Sequence, residues 1–361
     1  MNQYHSDKPI DGTRVPFQAT IDGPHAGGVE QTYPFTLTVT SFITDPKTPL
    51  IYTWYADGDP AMQAPSVNTT YSLSTTIGMS WDQPGTHTIT ATARHATGTI
   101  TATKRVTISI PPNNLRISGP LTGTTGADYD FVAMVSPGDA TTPITYSWKV
   151  HSDQSLQRQF VTTRTASLSD TFRMVWETSG VQVITLTAAN PGGAVHTSHA
   201  LFLRKPAPDG ALQHITPEQG GILVTTDGNI QIHFPPGAVT EDAIAIFTRL
   251  DQLEDGQALR SGLGILQLFR LELYALDGTP IERLERSAEM TVYYTEEEWY
   301  TCCTSYPVPS MRFWAGRTWL VLPSDVDTQH MRVDNMRIGR ATDFALVGQL
   351  QFDVFVPLIW R

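Results

Sequence analysis

Met79-Ser80-Trp81-Asp82-Gln83-Pro84-Gly85-Thr86-His87-Thr88-Ile89-Thr90-Ala91-Thr92-Ala93 is the stretch on which the fold is decided, because it comes back. Its second copy is Met174-Val175-Trp176-Glu177-Thr178-Ser179-Gly180-Val181-Gln182-Val183-Ile184-Thr185-Leu186-Thr187-Ala188. Trp81 and Trp176 lie 95 residues apart, and so do Gly85 and Gly180. Each copy is a tryptophan, a short turn closed by glycine, and then a run of alternating character. Ile89, Ala91 and Ala93 share one face, with Ile184, Leu186 and Ala188 as counterparts. Threonines fill much of the opposite face. A period of two with one apolar side is the pattern of a half-buried strand.

The repetition extends outward. Ile21-Asp22-Gly23-Pro24 matches Ile117-Ser118-Gly119-Pro120, and Tyr33-Pro34-Phe35 matches Tyr129-Asp130-Phe131. Leu37 and Val39 continue that strand in one copy, Ala133 and Val135 in the other. Pro49-Leu50-Ile51-Tyr52-Thr53-Trp54 matches Pro143-Ile144-Thr145-Tyr146-Ser147-Trp148. An apolar residue, a tyrosine and a tryptophan sit two apart in each, so all three point to one side. Trp54, Trp81, Trp148 and Trp176 are therefore expected in two equivalent cores. The period is too long for a solenoid. It fits two tandem sandwiches of immunoglobulin size.

Both copies resemble PKD-type immunoglobulin-like modules, over residues 15–112 and 113–205. The shared features are Tyr-x-Trp on one strand, Trp-x-x-x-Gly leading into a Thr/Val/Ile strand, and a small-residue turn. That turn is Ala96-Thr97-Gly98 in the first copy and Asn190-Pro191-Gly192-Gly193 in the second. The family commonly follows the strand tryptophan with an acidic glycine turn. The first copy has Ala56-Asp57-Gly58-Asp59; the second, Val150-His151-Ser152-Asp153, lacks the glycine. Pro111-Pro112-Asn113-Asn114 and Lys205-Pro206-Ala207-Pro208-Asp209-Gly210 read as short, stiff spacers.

Residues 206–350 differ in kind. Gly220-Gly221-Ile222-Leu223-Val224 leads through Asp227-Gly228, a hairpin signal, to Ile230-Gln231-Ile232-His233-Phe234. Pro235-Pro236-Gly237-Ala238 forces a turn before Ala243-Ile244-Ala245-Ile246. This order resembles a ZU5 domain. Further strands are expected at 269–275, 290–294, 311–314, 319–322 and 344–347. Some relatives of that fold cleave themselves at His-Phe-Ser. The corresponding Thr342-Asp343-Phe344-Ala345 lacks both the histidine and the serine, so self-cleavage is not implied. Residues 351–361 have a partial strand pattern interrupted by Pro357. They resemble a Val-Pro-Leu-Ile tail of some bacterial secreted proteins. Residues 1–14 are polar, without the apolar core of a secretory leader.

The bulk numbers agree with an all-β chain. Of 361 residues, 40% are hydrophobic and 16% charged, which suits packed, threonine-rich sheets. The net charge is −11. Residues 1–205 carry a net of −1 and residues 206–361 a net of −10, so composition shifts near 205. An acidic surface repels phosphate backbones and argues against nucleic-acid partners. The two cysteines, Cys302 and Cys303, are adjacent. Two thiols are expected, given how specific disulfide geometry is.

No nucleophile motif, phosphate loop or zinc motif occurs. His196 and His199 fall on opposite faces of a strand and share no metal. Asp57 and Asp59 supply too few carboxylates for calcium. Glu296-Glu297-Glu298 reads as a solvated charge run. Asn68-Thr69-Thr70 is a glycosylation sequon, relevant only in a host that uses one. Trp299, Trp314, Trp319 and Trp360 are binding candidates if exposed. No catalytic residue, metal or cofactor is expected, and the sequence assigns no binding residues. The expected protein is non-catalytic, extracellular or on the cell surface, its leader absent from the given chain. It would act in adhesion to protein or glycan, with the repeats as spacers. The alternatives are a filament or sheath subunit joined to copies of itself through strand edges, and the accessory region of a secreted hydrolase.

Overall fold

The computed structural model describes residues 18–40, 50–57, 68–70, 73–95, 98–152, 159–302 and 308–350. The expectations for residues 1–14 and 351–361, for Gly58-Asp59, Ala96-Thr97, Asp153, Cys303 and Trp360, lie outside them. The protein is all-β, with a single short helix among the described residues.

Two sandwiches follow one another with the same strand order. In the first, β1 (Gln18–Asp22), β3 (Tyr33–Thr40) and β6 (Ser74–Met79) form a three-stranded sheet. It faces a five-stranded sheet of β2 (Ala26–Gly28), β8 (Gly98–Ser109), β7 (Gly85–His95), β4 (Leu50–Ala56) and β5 (Asn68–Thr70). In the second, β9 (Asn114–Ser118), β11 (Asp128–Ser136) and β14 (Ser169–Val175) face β10 (Thr122–Thr124), β16 (Gly193–Arg204), β15 (Gly180–Asn190), β12 (Ile144–Ser152) and β13 (Gln159–Ala166). The short β2 and β10 run parallel to β8 and β16, while the other pairs are antiparallel. This is immunoglobulin-like topology.

The repeated residues are repeated because they build one core twice. Trp81 and Trp176 are 3% and 4% exposed. Trp81 meets Phe35 at 6.0 Å and 84°; Trp176 meets Phe131 at 6.0 Å and 88°. Edge-to-face packing of this kind adds to the area the rings bury. Gly23 and Gly119 recur because a Cβ there would stand 2.4 and 2.3 Å from the rings of Phe35 and Phe131. Trp54 and Trp148 are wholly buried. They differ in one respect. Trp148 Nε1 donates to Asp170 Oδ2 at 2.8 Å, whereas Trp54 Nε1 has no partner among the described residues.

The third unit is a larger sandwich. One sheet runs β17 (Gly210–Ile215), β20 (Ala243–Arg249), β21 (Leu263–Ala275), β27 (Thr342–Gln349), β23 (Ser310–Trp314), β24 (Trp319–Val321). The other runs β18 (Gly221–Val224), β19 (Ile230–Phe234), β22 (Arg283–Tyr293), β26 (Arg332–Arg340), β25 (Asp325–Asp327). Phe247, Phe269 and Phe344 stack in series between them, at 5.2 and 5.5 Å. The Asp227-Gly228 turn joins β18 to β19, with Gly228 at φ +72°, a left-handed conformation that glycine adopts at no steric cost.

Among the described residues, strands occupy the segments expected to hold one. Three features go beyond that reading. β17 begins at Gly210, inside the stretch read as a spacer. β26 is a long inner strand that was not anticipated. The glutamate run, solvated at Glu296 and Glu297, opens helix α1 (Glu296–Cys302). The Thr295 hydroxyl accepts from Glu298 N–H at 3.0 Å, and the Glu298 carboxylate accepts from Thr295 N–H at 2.7 Å. That reciprocal pair is a capping box, and Thr-x-x-Glu was its sequence signal.

Candidate interaction surfaces and module junctions

Side chains singled out for chemistry are mostly engaged in structure. His196 and His199 both sit on β16. His196 is exposed, while His199 packs edge-on against Phe131 at 5.5 Å and bonds the Pro120 carbonyl at 2.9 Å. The Asp57 carboxylate is taken up by its own module: Oδ1 accepts from Thr88 N–H at 2.7 Å, and Oδ2 lies 2.6 Å from His87 Nδ1. His87 in turn stacks on Trp81 at 5.2 Å and bonds the Gln83 carbonyl. No cluster of three or more His, Cys, Asp or Glu suited to a metal occurs among the described residues. Asn68 opens β5.

Asp343, at the position compared with a self-cleavage site, is 4% exposed and forked by Arg270, with Nε and Nη2 at 2.6 and 2.9 Å. Gln257 Nε2 adds a bond at 2.7 Å, and Glu254 reaches the same arginine at 2.6 Å. The bonds to Asp343 raise the pKa of Arg270 above its ordinary value despite its burial.

Cys302 corrects the expectation of two thiols. It ends α1 and is disulfide-bonded.

The junction between the second and third units is apolar. Val181, Ala200 and Phe202 from β15 and β16 pack against Ile244, Ile246 and Tyr274 from β20 and β21. Phe202 is fully buried and meets Tyr274 at 6.1 Å. Both strands at this junction are covered on two sides. Leu201 and Leu203 point into the second sandwich while Ala200 and Phe202 point out of it; Ala243, Ala245 and Phe247 point into the third while Ile244 and Ile246 point out. Polar bonds frame the contact: Lys205 Nζ donates to the Arg249 carbonyl at 3.0 Å.

Set beside the first repeat, this junction explains where the two copies differ. Val181, Val183, Ala200 and Phe202 correspond at the 95-residue offset to Thr86, Thr88, Arg105 and Thr107. Those four face outward on the first sandwich, and Thr86, Arg105 and Thr107 are exposed. The outward face is polar where water covers it and apolar where a neighbour does.

The junction between the first two units is polar. Asn190 Nδ2 donates across it to the Ile110 carbonyl at 2.8 Å; within its own unit the same nitrogen donates to the Thr141 carbonyl at 2.9 Å and its oxygen accepts from Gly192 N–H. A Cβ on Gly192 would lie 2.7 Å from the Ser109 carbonyl oxygen, so the turn of one sandwich seats directly on the last strand of the other.

Two kinds of surface remain open. Ile222 and Val224 on β18, and Leu320 and Val321 on β24, are exposed on strands that end their sheets. Trp299 and Trp319 are buried, each 6% exposed, and Trp314 packs against Trp319 at 5.6 Å. These three expected binding candidates thus serve the core or its margin. The residue beside Trp299 is the open one: Tyr300 is 64% exposed. It borders a cleft of about 200 Å³ that Tyr294, Trp299, Val308 and Met331 also line.

No protein-family model matches the chain, and no curated protein matches it in sequence. Solved structures do. The PKD domain of an M14-like peptidase from a Thermoplasmatales archaeon aligns over 26% of this chain and 97% of its own, at 13% identity and a TM-score of 0.21. An ICAM-5 D1–D4 ectodomain fragment aligns over 72% and 73%, at 12% identity and 0.33. Bovine butyrophilin aligns over 51% and 98%, at 10% identity and 0.28. No described helix is long and apolar enough to cross a membrane.

Proposed function

We propose that this chain is a non-catalytic modular protein of the cell exterior or surface, in which two PKD-like sandwiches act as a stiff spacer for a ZU5-like interaction module. The observation that carries the reading is the paired difference between the repeats. The second copy exchanges Thr86, Thr88, Arg105 and Thr107 of the first for Val181, Val183, Ala200 and Phe202, and those four seat the third module. Fixing the module to its spacer serves presentation at a set distance and orientation. Catalysis would require a nucleophile, base or metal, and most of the candidate side chains are held in structural bonds.

The interaction surface belongs to the third module. Tyr300 and its aromatic cleft offer a stacking face for a sugar or for one side chain of a protein partner. Small-angle scattering and sedimentation of the whole chain test the spacer. A single elongated particle whose maximum dimension is constant with salt fits the proposal; a family of bent particles refutes it. Binding to an immobilised glycan library, lost in Tyr300→Ala, tests the interaction.

A second reading has its own observation. The exposed Ile222, Val224, Leu320 and Val321 lie on terminal strands, which are templates for strand addition. Concentration-dependent polymers in sedimentation, abolished by Val321→Lys, would favour a filament subunit.

A further inference from the structure

The third sandwich has an open end. β22 and β26 keep close register from Ala288 opposite Ile338 to Met290 opposite Met336, and their register shifts on either side of that run. Between Ala288 opposite Ile338 and the next pair, Arg283 opposite Arg340, β22 has four residues where β26 has one. A bulge of this size lifts one strand away from its partner and re-aims it. Beside this bulge lies a cavity of about 390 Å³, within the usual size of small-molecule sites.

The floor of that cavity is the hydrophobic core itself. Phe344 and Ile338 are 1% and 2% exposed, and Leu284, Phe313 and Leu322 complete the apolar lining. The rim is cationic: Arg283, Arg337 and Arg340 border it. Like charges directly opposite each other across a ladder repel, and Arg283 and Arg340 are ladder partners. Their placement is more notable because residues 206–361 carry a net charge of −10. Acidic side chains are plentiful, yet among the described residues none of the three guanidiniums forms an ion pair or side-chain hydrogen bond. Glu289, opposite Arg337 in the ladder, is not within ion-pair distance. Arg286, on the bulge, is engaged elsewhere, donating to the Pro236 carbonyl at 3.3 Å.

We infer that this pocket binds a small amphipathic carboxylate: an alkyl or aryl body on the Phe313–Phe344 floor, its carboxylate between Arg283 and Arg340. Guanidinium recognises carboxylate in a planar, two-pronged geometry, and such bonds are stronger than neutral ones. The apolar floor excludes inorganic anions as preferred occupants, and the arginine pair disfavours neutral lipids. The site is independent of the spacer reading and of the cleft beside Tyr300.

The test is isothermal titration of the full chain at low salt with octanoate, octanol and acetate. Octanoate should bind saturably at one site, octanol at least about tenfold more weakly for want of the charge-assisted bonds, and acetate not measurably. Added salt should weaken octanoate alone. In R283Q/R340Q, octanoate should fall to the affinity of octanol while octanol is unchanged. Octanoate binding no tighter than octanol, no saturable binding of octanoate, or a double variant that binds it like the wild type would each overturn the proposal. The wild-type comparison of octanoate with octanol decides the question even if the variant does not fold.

Discussion

Phe202→Ala probes the joint between the second and third modules. Phe202 is fully buried, but its ring lies outside the second sandwich, against Ile244, Ile246 and Tyr274. Leu201 and Leu203, its neighbours in sequence, point the other way into the sandwich core. Truncating a buried phenylalanine costs about 3–5 kcal/mol through lost transfer energy and the cavity left behind. The location decides where that loss appears. It falls on the docking of two modules and not on the folding of either, so even about 3 kcal/mol shifts the docked-to-undocked ratio about a hundredfold. Urea unfolding should show the second and third modules separating into two transitions, and small-angle scattering should broaden toward larger dimensions. Thr107→Ala, the same site on the first sandwich, is the control and should change stability by no more than about 0.5 kcal/mol. Two results would refute the reasoning. One is a variant with wild-type midpoint and dimensions. The other is loss of the second sandwich's own near-ultraviolet signal, which would place Phe202 in that core.

The remaining predictions concern the cores and the titrating groups. Trp81→Ala and Trp176→Ala should each destabilise their own sandwich by about 3–5 kcal/mol, and by nearly equal amounts because their packing matches; chemical denaturation of both variants measures this. Asp343→Ala should cost about 2–3 kcal/mol, since Arg270 would stay half-buried with Glu254 as its remaining carboxylate; a loss under about 0.5 kcal/mol would show the fork to be dispensable. Burial, aided by the Asp170 carboxylate, pushes the Tyr146 hydroxyl up to about 12. Its folded pKa is raised, so its stabilising contribution is complete below about pH 10 and is lost as pH rises from there toward 12; Tyr146→Phe should flatten this alkaline loss in thermal melts. Asp227 behaves oppositely. Burial would raise its pKa, but bonds from Thr225 and Asn229 and the charge of Arg249 hold it below the usual range. Its contribution is present above about pH 4 and is lost as pH falls further, and Asp227→Asn should remove that acid dependence.

Much of this architecture is written in local pattern. The alternation around Ile89 and Ile184 specifies strands with one buried face, and the 95-residue echo specifies that the same core is built twice. Trp81 and Trp176 could be placed in those cores because the 95-residue repeat sets them at equivalent positions beside a half-buried strand. Thr295-x-x-Glu298 carried a helix start that a reading for charge alone missed. The open Tyr300 was equally hidden, because an exposed and a buried aromatic look alike in a single sequence, and its neighbour Trp299 took the buried place.

Other features needed the chain to be folded. Ala200-Leu201-Phe202-Leu203 breaks the alternation of its strand and so announces cover on both faces, but periodicity does not say what the second cover is. Comparing the two copies at their outward positions would have shown the change from Thr107 to Phe202. Only the packed structure shows Ile244, Ile246 and Tyr274 arriving there from beyond the Pro206–Pro208 stretch. The arginine pocket is more remote still. Arg283 and Arg340 are far apart in sequence, and an arginine on a strand reads as a solvated residue wherever it falls. They become a site because a ladder sets them opposite each other at a bulge, over phenylalanines contributed by the facing sheet. Local periodicity fixes which way a side chain points; what it meets depends on contacts between distant segments, which no stretch of the sequence contains by itself.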